Sequence, residues 1–169
     1  YEAGESKAIE ETKYLRERRN FIGYYNIDEP NLPPRDFRLA NAEWYWKTVT
    51  PLDPYRPVML LFAKHIPEGE QWTRWGGILG YDVYPSPHKD PSGGSFESEP
   101  GWMTLYYAYD LRERCRQDNK VMWFVPAGNL FNPLKHPVGL GSAHILCQAY
   151  AAIIYGARGL LYFALPNIL

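Results

Sequence analysis

Long apolar runs, net charge and cysteine are all scarce in this chain of 169 residues. No stretch approaches the about 20 consecutive apolar residues that a bilayer crossing needs. The 18 Lys and Arg nearly cancel the 19 Asp and Glu, leaving a net charge of −1. Such a balance gives no field to draw the chain to nucleic acid or to an acidic membrane, and neither is expected as a partner. The two cysteines, Cys115 and Cys147, lie far apart, each within a predicted helix. They make no metal-ligand spacing and no disulfide framework, and both are expected to be buried free thiols. Their spacing leaves a bridge between them open as the alternative. The four histidines, His65, His88, His136 and His144, also lack metal-ligand spacing, so no metal and no cofactor is expected. There is no Asn-x-Ser/Thr acceptor, no signal peptide and no initiator Met, and no feature marks a compartment. The chain opens at Tyr1-Glu2-Ala3 in what reads as mid-helix, and is expected to be an internal piece of a longer polypeptide.

Aromatic residues, by contrast, are abundant at 16% of the chain, with six Trp and fourteen Tyr. A surplus of this kind serves either a bulky core or a surface that stacks on planar and sugar rings. The length suits one domain with a real core. The basic cluster Arg16, Arg18 and Arg19 alternates with Glu10, Glu11 and Glu17, as on a solvated helix face.

Strand and helix patterns alternate. An amphipathic helix is predicted over about 5–20, with Ala8, Ile9, Thr12 and Leu15 on one side. A strand follows at 21–27, and Pro33-Pro34 opens a helix over about 35–48. Trp44, Tyr45 and Trp46 form an aromatic stripe on that helix, suited to packing. The unbroken apolar run at 57–62 reads as a strand buried on both faces. A connection with Trp72 and Trp75 leads to a strand at 77–85, and residues 86–101 form a long Pro-, Gly- and Ser-rich loop. A helix over about 102–117, a strand at 120–126, an apolar helix at 139–156 that reads as buried, and a last strand at 159–165 complete the pattern. Gly156 and Gly159 bracket the end of the last helix. Five β segments separated by helical ones predict an α/β fold with a parallel sheet and right-handed connections. Either an open doubly wound sheet or part of an eight-unit barrel satisfies that count. No strand is followed by a Gly-rich phosphate fingerprint, and the strands end in polar or aromatic residues, which favours the barrel.

The most informative segment is Asp28-Glu29-Pro30, at the end of the strand-like run from Phe21 to Ile27. Two adjacent carboxylates followed by proline make an ordinary polar turn. At the carboxyl end of a buried parallel strand they also stand where α/β barrels carry out their chemistry. Carboxylic acids are the working groups of glycoside hydrolysis.

With those residues in view, the chain resembles the C-terminal five strands, four to eight, of a (β/α)8 (TIM) barrel of the β-galactosidase-like glycoside hydrolase clan. Four segments carry the resemblance: Gly23 to Pro30, Arg56 to Val58, Gly80 to Pro85, and Gln148 to Leu160, the last similar to the helix and glycine turn that lead into the eighth strand. On this resemblance residues 1–169 are a single C-terminal portion of a catalytic-type barrel. The first three strands belong to the N-terminal remainder of the same barrel, which becomes the expected partner, and a carbohydrate becomes the expected substrate.

The resemblance implies residue roles as well. Retaining members of the clan end the fourth strand in Asn-Glu, with Glu as general acid/base, and the matching pair here is Asp28-Glu29. Glu29 is thus the expected proton donor, and a donor that works near neutral pH needs its pKa raised by burial or by a neighbouring charge such as Asp28. The clan's nucleophile is a Glu ending the seventh strand, but Met122 to Gly128 contains no carboxylate. A retaining mechanism needs a second carboxylate about 5 Å away. Asp82, at the end of the sixth strand, is the nearest candidate, with Asp28 the other. Tyr84 and Asn26 are expected to orient a carboxylate or a sugar hydroxyl, Trp72, Trp75 and Trp102 to stack on sugar faces, and His65 to face the site. An ordinary structural role for Asp82 and Tyr84 is about as well supported. Two further readings stay open. Substrate-assisted N-acetylhexosaminidases also carry an Asp-Glu pair at the fourth strand, with Asp steadying the acetamido group that attacks the anomeric carbon. A degenerate barrel that only binds carbohydrate is the third, favoured by the missing seventh-strand Glu.

Overall fold

In the computed structural model, residues 2–63, 65–82, 100–126 and 142–162 are described. Tyr84, His88, His136, Gly128 and the ends of the 77–85 and 159–165 strands lie outside the described residues, as does the side chain of Trp102.

The first compact unit, residues 1–79, holds helix α1 (Glu2–Arg16), strand β1 (Tyr24–Asp28), helix α2 (Arg35–Val49), strand β2 (Val58–Phe62) and the start of β3 (Ile78–Asp82). Every residue of β2 is buried, as its unbroken apolar sequence requires. β1 begins three residues later than the apolar run suggests. Phe21 turns its ring edge-on to Tyr24 at 4.8 Å, while Ile22 is exposed, so Phe21 to Gly23 lead into the strand without joining the ladder. Tyr24, Val49 and Val58 form a core onto which Leu15, Phe21, Tyr45 and Trp46 pack. The aromatic stripe of α2 therefore serves the core. α1 stops at Arg16, short of the predicted end. Among the described residues, the connection from β2 to β3 holds one regular element, the 3-10 turn Glu70–Trp72.

Asp53 anchors the lower part of this unit. Its buried carboxylate accepts hydrogen bonds from the Tyr24 hydroxyl (2.9 Å) and the Arg56 guanidinium (2.8 Å). Arg56 also donates to the main-chain oxygens of Phe21 and Arg18. Burial raises both acids, and the outcomes differ. The Tyr24 phenol is pushed well up by burial and then by its carboxylate neighbour. Asp53 is lifted by burial, but its hydrogen bonds to Tyr24 and Arg56 and the Arg56 charge outweigh that and hold it low.

The second unit, residues 80–169, holds the rest of β3, helix α3 (Pro100–Gln117), strand β4 (Val121–Val125), helix α4 (Ser142–Ile154) and strand β5 (Gly159–Leu160). α3 and α4 end alike. Asn119 and Gly156 adopt left-handed φ of 52° and 94°. Lys120 N–H reaches back to Cys115 O at 2.8 Å, and Ala157 N–H to Ala152 O at 2.9 Å. These are paired left-handed helix stops that satisfy three of the last four carbonyls of each helix. β5 opens at Gly159, where a Cβ would collide with the Trp123 ring.

Two expectations change here. α4 is not buried all round. Gln148, Ala149, Ala151 and Ala152 face inward, while Leu146, Tyr150, Ile153 and Ile154 turn out and are exposed. Small side chains let the helix approach its neighbours closely, and its larger apolar residues form the outer stripe. The cysteines also differ. Both are free, Cys115 buried and Cys147 exposed.

The five strands form one sheet in the order β1-β2-β3-β4-β5. β1 pairs parallel with β2, and β4 parallel with β5. A doubly wound sheet reverses its strand order at a switch point, whereas consecutive barrel strands pair in sequence order. The sheet is the second kind, that of a partial (β/α)8 barrel.

Candidate functional site

The carboxyl end of β1 departs from regular geometry in two ways that the residue pattern does not announce. The first is a bulge. Tyr25 pairs with Met59 and Asp28 with Leu61, three residues on β1 against two on β2. Met59 and Leu61 share a face of their strand, so Tyr25 and Asp28 share one too. Tyr24 packs with Val49 of α2 and Asn26 donates to Ala42 O of α2 at 3.0 Å, so those two face the helices. Without the bulge, alternation would send Asp28 to the helix side with them. With it, Asp28 lies beside Tyr25, whose hydroxyl donates to Asp28 Oδ1 at 2.6 Å.

The second is the backbone of Glu29, whose φ of 48° is left-handed. Few non-glycine residues adopt it, and a residue before proline favours extended conformations instead. Such a conformation costs about 1–3 kcal/mol and persists where the surroundings dictate it. Here they do. Glu29 N–H donates to Leu61 O at 2.8 Å, and Glu29 O accepts from Leu32 N–H at 3.0 Å. The Arg38 guanidinium donates to Asp28 O at 2.7 Å and to Glu29 O at 3.3 Å.

Asn31 completes the frame and carried no signal in the sequence beyond its place in a turn. Its buried amide donates to Ala63 O (2.5 Å) and His65 O (3.0 Å), and its oxygen accepts from Ala63 N–H (3.1 Å). The loop after β1 is thereby tied to the loop after β2, which brings the His65 main chain alongside the Asp28-Glu29 loop. Arg35 Nε donates to Asn31 O at 2.9 Å, fastening the same loop to the start of α2.

The electrostatics match this frame. Burial raises the Glu29 carboxyl above its usual value, the Asp28 charge raises it further, and the Arg38 charge opposes both. A carboxylic acid lifted by burial and a like charge is suited to donating a proton near neutral pH.

Asn26 is committed to α2 through Ala42 O. Trp72 is buried in the 3-10 turn. Trp75 is half-buried, with Lys47 and Arg74 within 5.6 Å and 5.4 Å of its ring centre. It lies just before Gly77, whose N–H bonds Val58 O at the N-terminal start of β2, the end of the strand away from Glu29. Trp102 falls in the first turn of α3. Asp82 is the last residue of β3, and Tyr84 lies outside the described residues. Among the described residues no group of three or more His, Cys, Asp and Glu is placed to hold a metal.

No family model matches this chain, nor does any curated protein. Solved structures do. A polyextremophilic β-galactosidase from the Antarctic haloarchaeon Halorubrum lacusprofundi is similar at a TM-score of 0.58 and 17% identity, over 76% of this chain and 20% of that one. A β-D-glucuronidase from Dictyoglomus thermophilum is similar at a TM-score of 0.56 and 13% identity, over 94% of this chain and 28% of that one. The chain thus spans about a quarter of the length of these two structures and shares its fold with part of them.

Proposed function

We propose that this chain is the C-terminal part of a glycoside hydrolase barrel that cleaves O-glycosidic bonds, with Glu29 as the general acid/base. The observation that carries this is the state of Glu29. It stands at the carboxyl end of a barrel strand, in a left-handed conformation fixed by Leu61, Leu32 and Arg38, with its carboxyl raised by burial and by Asp28. Strained backbone and a raised carboxyl pKa are both features that concentrate at catalytic sites.

In such a reaction Glu29 gives its proton to the departing glycosidic oxygen as the bond to the anomeric carbon breaks. A retaining enzyme then uses the Glu29 carboxylate to take a proton from the incoming water. The second carboxylate is Asp28 or Asp82. Substituting each by Asn and assaying hydrolysis identifies it, since loss of a nucleophile abolishes turnover while loss of a neighbour shifts its pH dependence.

A second reading, substrate-assisted N-acetylhexosaminide hydrolysis, draws on the Tyr25–Asp28 hydrogen bond of 2.6 Å. That bond fixes the orientation of Asp28, as a residue steadying an acetamido group requires. Assay of the full-length native polypeptide against a panel of aryl glycosides that includes N-acetylhexosaminides tests both readings. Release confined to N-acetylhexosaminides and lost in Asp28→Asn selects the second. Absence of release from every substrate, with sugar-dependent retention on a polysaccharide column, selects a binding barrel.

A further inference from the structure

We propose that the cleft between the C-terminal ends of α3 and α4 binds a phosphate-bearing small molecule. It lies in the second unit, at the N-terminal start of β4 and β5, the opposite end of those strands from where barrel chemistry sits. Its volume is about 460 Å³, within the range of small-molecule sites. Four cationic side chains line it: Arg112 and Arg116 from α3, Lys120 before β4 and Arg158 before β5, with Tyr155 on one wall and the buried Cys115 beneath.

Basic residues at helix C-termini have an ordinary explanation, because they can cap free carbonyls and complement the helix dipole. The backbone already caps three of the last four carbonyls of each helix. Arg114 O, Cys115 O and Arg116 O accept from the N–H groups of Asp118, Lys120 and Asn119, and Ala151 O, Ala152 O and Ile153 O accept from Tyr155, Ala157 and Gly156. The side chains are left for another use. Counter-charge is also short. Glu113 is shared between Arg112 (3.8 Å) and Arg116 (3.3 Å), and Asp118 is taken by Arg114 (2.6 Å). Among the described residues, Lys120 and Arg158 have no ion-pair partner. In a chain of net charge −1, this gathering of like charges in one concavity is stabilised by an anion. Guanidinium groups match phosphate oxygens two at a time, and the ammonium of Lys120 adds a point charge. Cys115 does not compete as a reactive group: burial, and then the Asp118 charge, push its thiol up to about 12.

The charges select phosphate without distinguishing the free ion from an ester, so the test has both arms. The full-length native polypeptide is titrated calorimetrically with inorganic phosphate and with a hexose phosphate, at ionic strength fixed with sodium chloride. Saturable binding to one site is expected, tighter for the ester if Tyr155 contacts its organic part. The double substitution Lys120→Gln, Arg158→Gln is expected to weaken it by at least about tenfold while leaving circular dichroism and glycosidase activity unchanged. Glu113→Gln, which releases Arg112 and Arg116, is expected to tighten it. Heat that fails to saturate, or an affinity unchanged in both variants, overturns the proposal. Neither result bears on Glu29.

Discussion

The hydroxyl of Tyr25 meets Asp28 Oδ1 at 2.6 Å because a bulge in β1 places both side chains on one face of the strand. Asp28 is thereby held away from the helix side, next in sequence to Glu29, whose carboxyl it helps to raise. The pair ties a backbone irregularity to the ionisation of the proposed acid.

The first prediction concerns that ionisation. Glu29 must be protonated to act as acid, so activity is lost as pH rises through its pKa. With Asp82 as the second carboxylate, Asp28→Asn removes a charge that raises the pKa, and the alkaline limb of kcat against pH is expected to move to lower pH. A pH–rate profile of variant and parent checks it. An unmoved limb means that Asp28 does not set the acid's ionisation.

Arg38 is predicted to act in the opposite sense. Its charge lowers the Glu29 pKa, and its hydrogen bonds hold the main chain of Asp28 and Glu29. Arg38→Met is expected to move the alkaline limb to higher pH and to reduce kcat by up to about a hundredfold, because the acid is no longer held in place. Loss of rate without a shift of the limb would assign Arg38 to positioning alone.

A third prediction concerns stability. Tyr24→Phe leaves the buried Asp53 carboxylate short of a donor and is expected to cost about 1–3 kcal/mol, read as a lowered Tm. Asp53 is held below its ordinary pKa. Its contribution is therefore present above the unfolded carboxylate value, about 3.9, and is lost as pH falls through the lower folded value. Asp53→Asn is expected to flatten the acid side of the stability profile below about pH 4. An unchanged profile in that variant contradicts the linkage.

Much of the frame was legible in the chain. The all-apolar run ending at Phe62 is a strand buried throughout, because parallel strands covered on both faces need no alternation. Asp28-Glu29-Pro30 does close β1 at its carboxyl end. What the residue types could not display was geometry set by neighbours. The bulge depends on how β1 registers against Met59 and Leu61, and the left-handed Glu29 on donors and acceptors from Leu61, Leu32 and Arg38. Asn26, expected to orient a carboxylate or a sugar hydroxyl, bonds the α2 backbone, since its side of the strand faces that helix. α4 read as buried because its composition is apolar. The split between its alanines and its Leu146, Tyr150, Ile153 and Ile154 stripe shows only in the burial of its two sides.

That stripe and the terminal positions of β1 and β5 in the sheet order lead to a fourth prediction. Made alone, residues 1–169 are expected to aggregate or to pair through exposed strand edges and the α4 stripe, which the remainder of the barrel covers on our proposal. Analytical ultracentrifugation with thermal melting decides it. A monodisperse monomer with a cooperative melt would mean that the chain is complete as a domain.

The most direct measurement is hydrolysis of the aryl glycoside panel by the full-length native polypeptide and by its Glu29→Gln variant. Gln keeps the shape of the side chain and removes the proton that the reaction uses. Turnover of the best substrate is expected to fall by about two to four orders of magnitude, with substrate binding retained. A good substrate hydrolysed at an undiminished rate by Glu29→Gln would contradict the assignment of Glu29 as the acid.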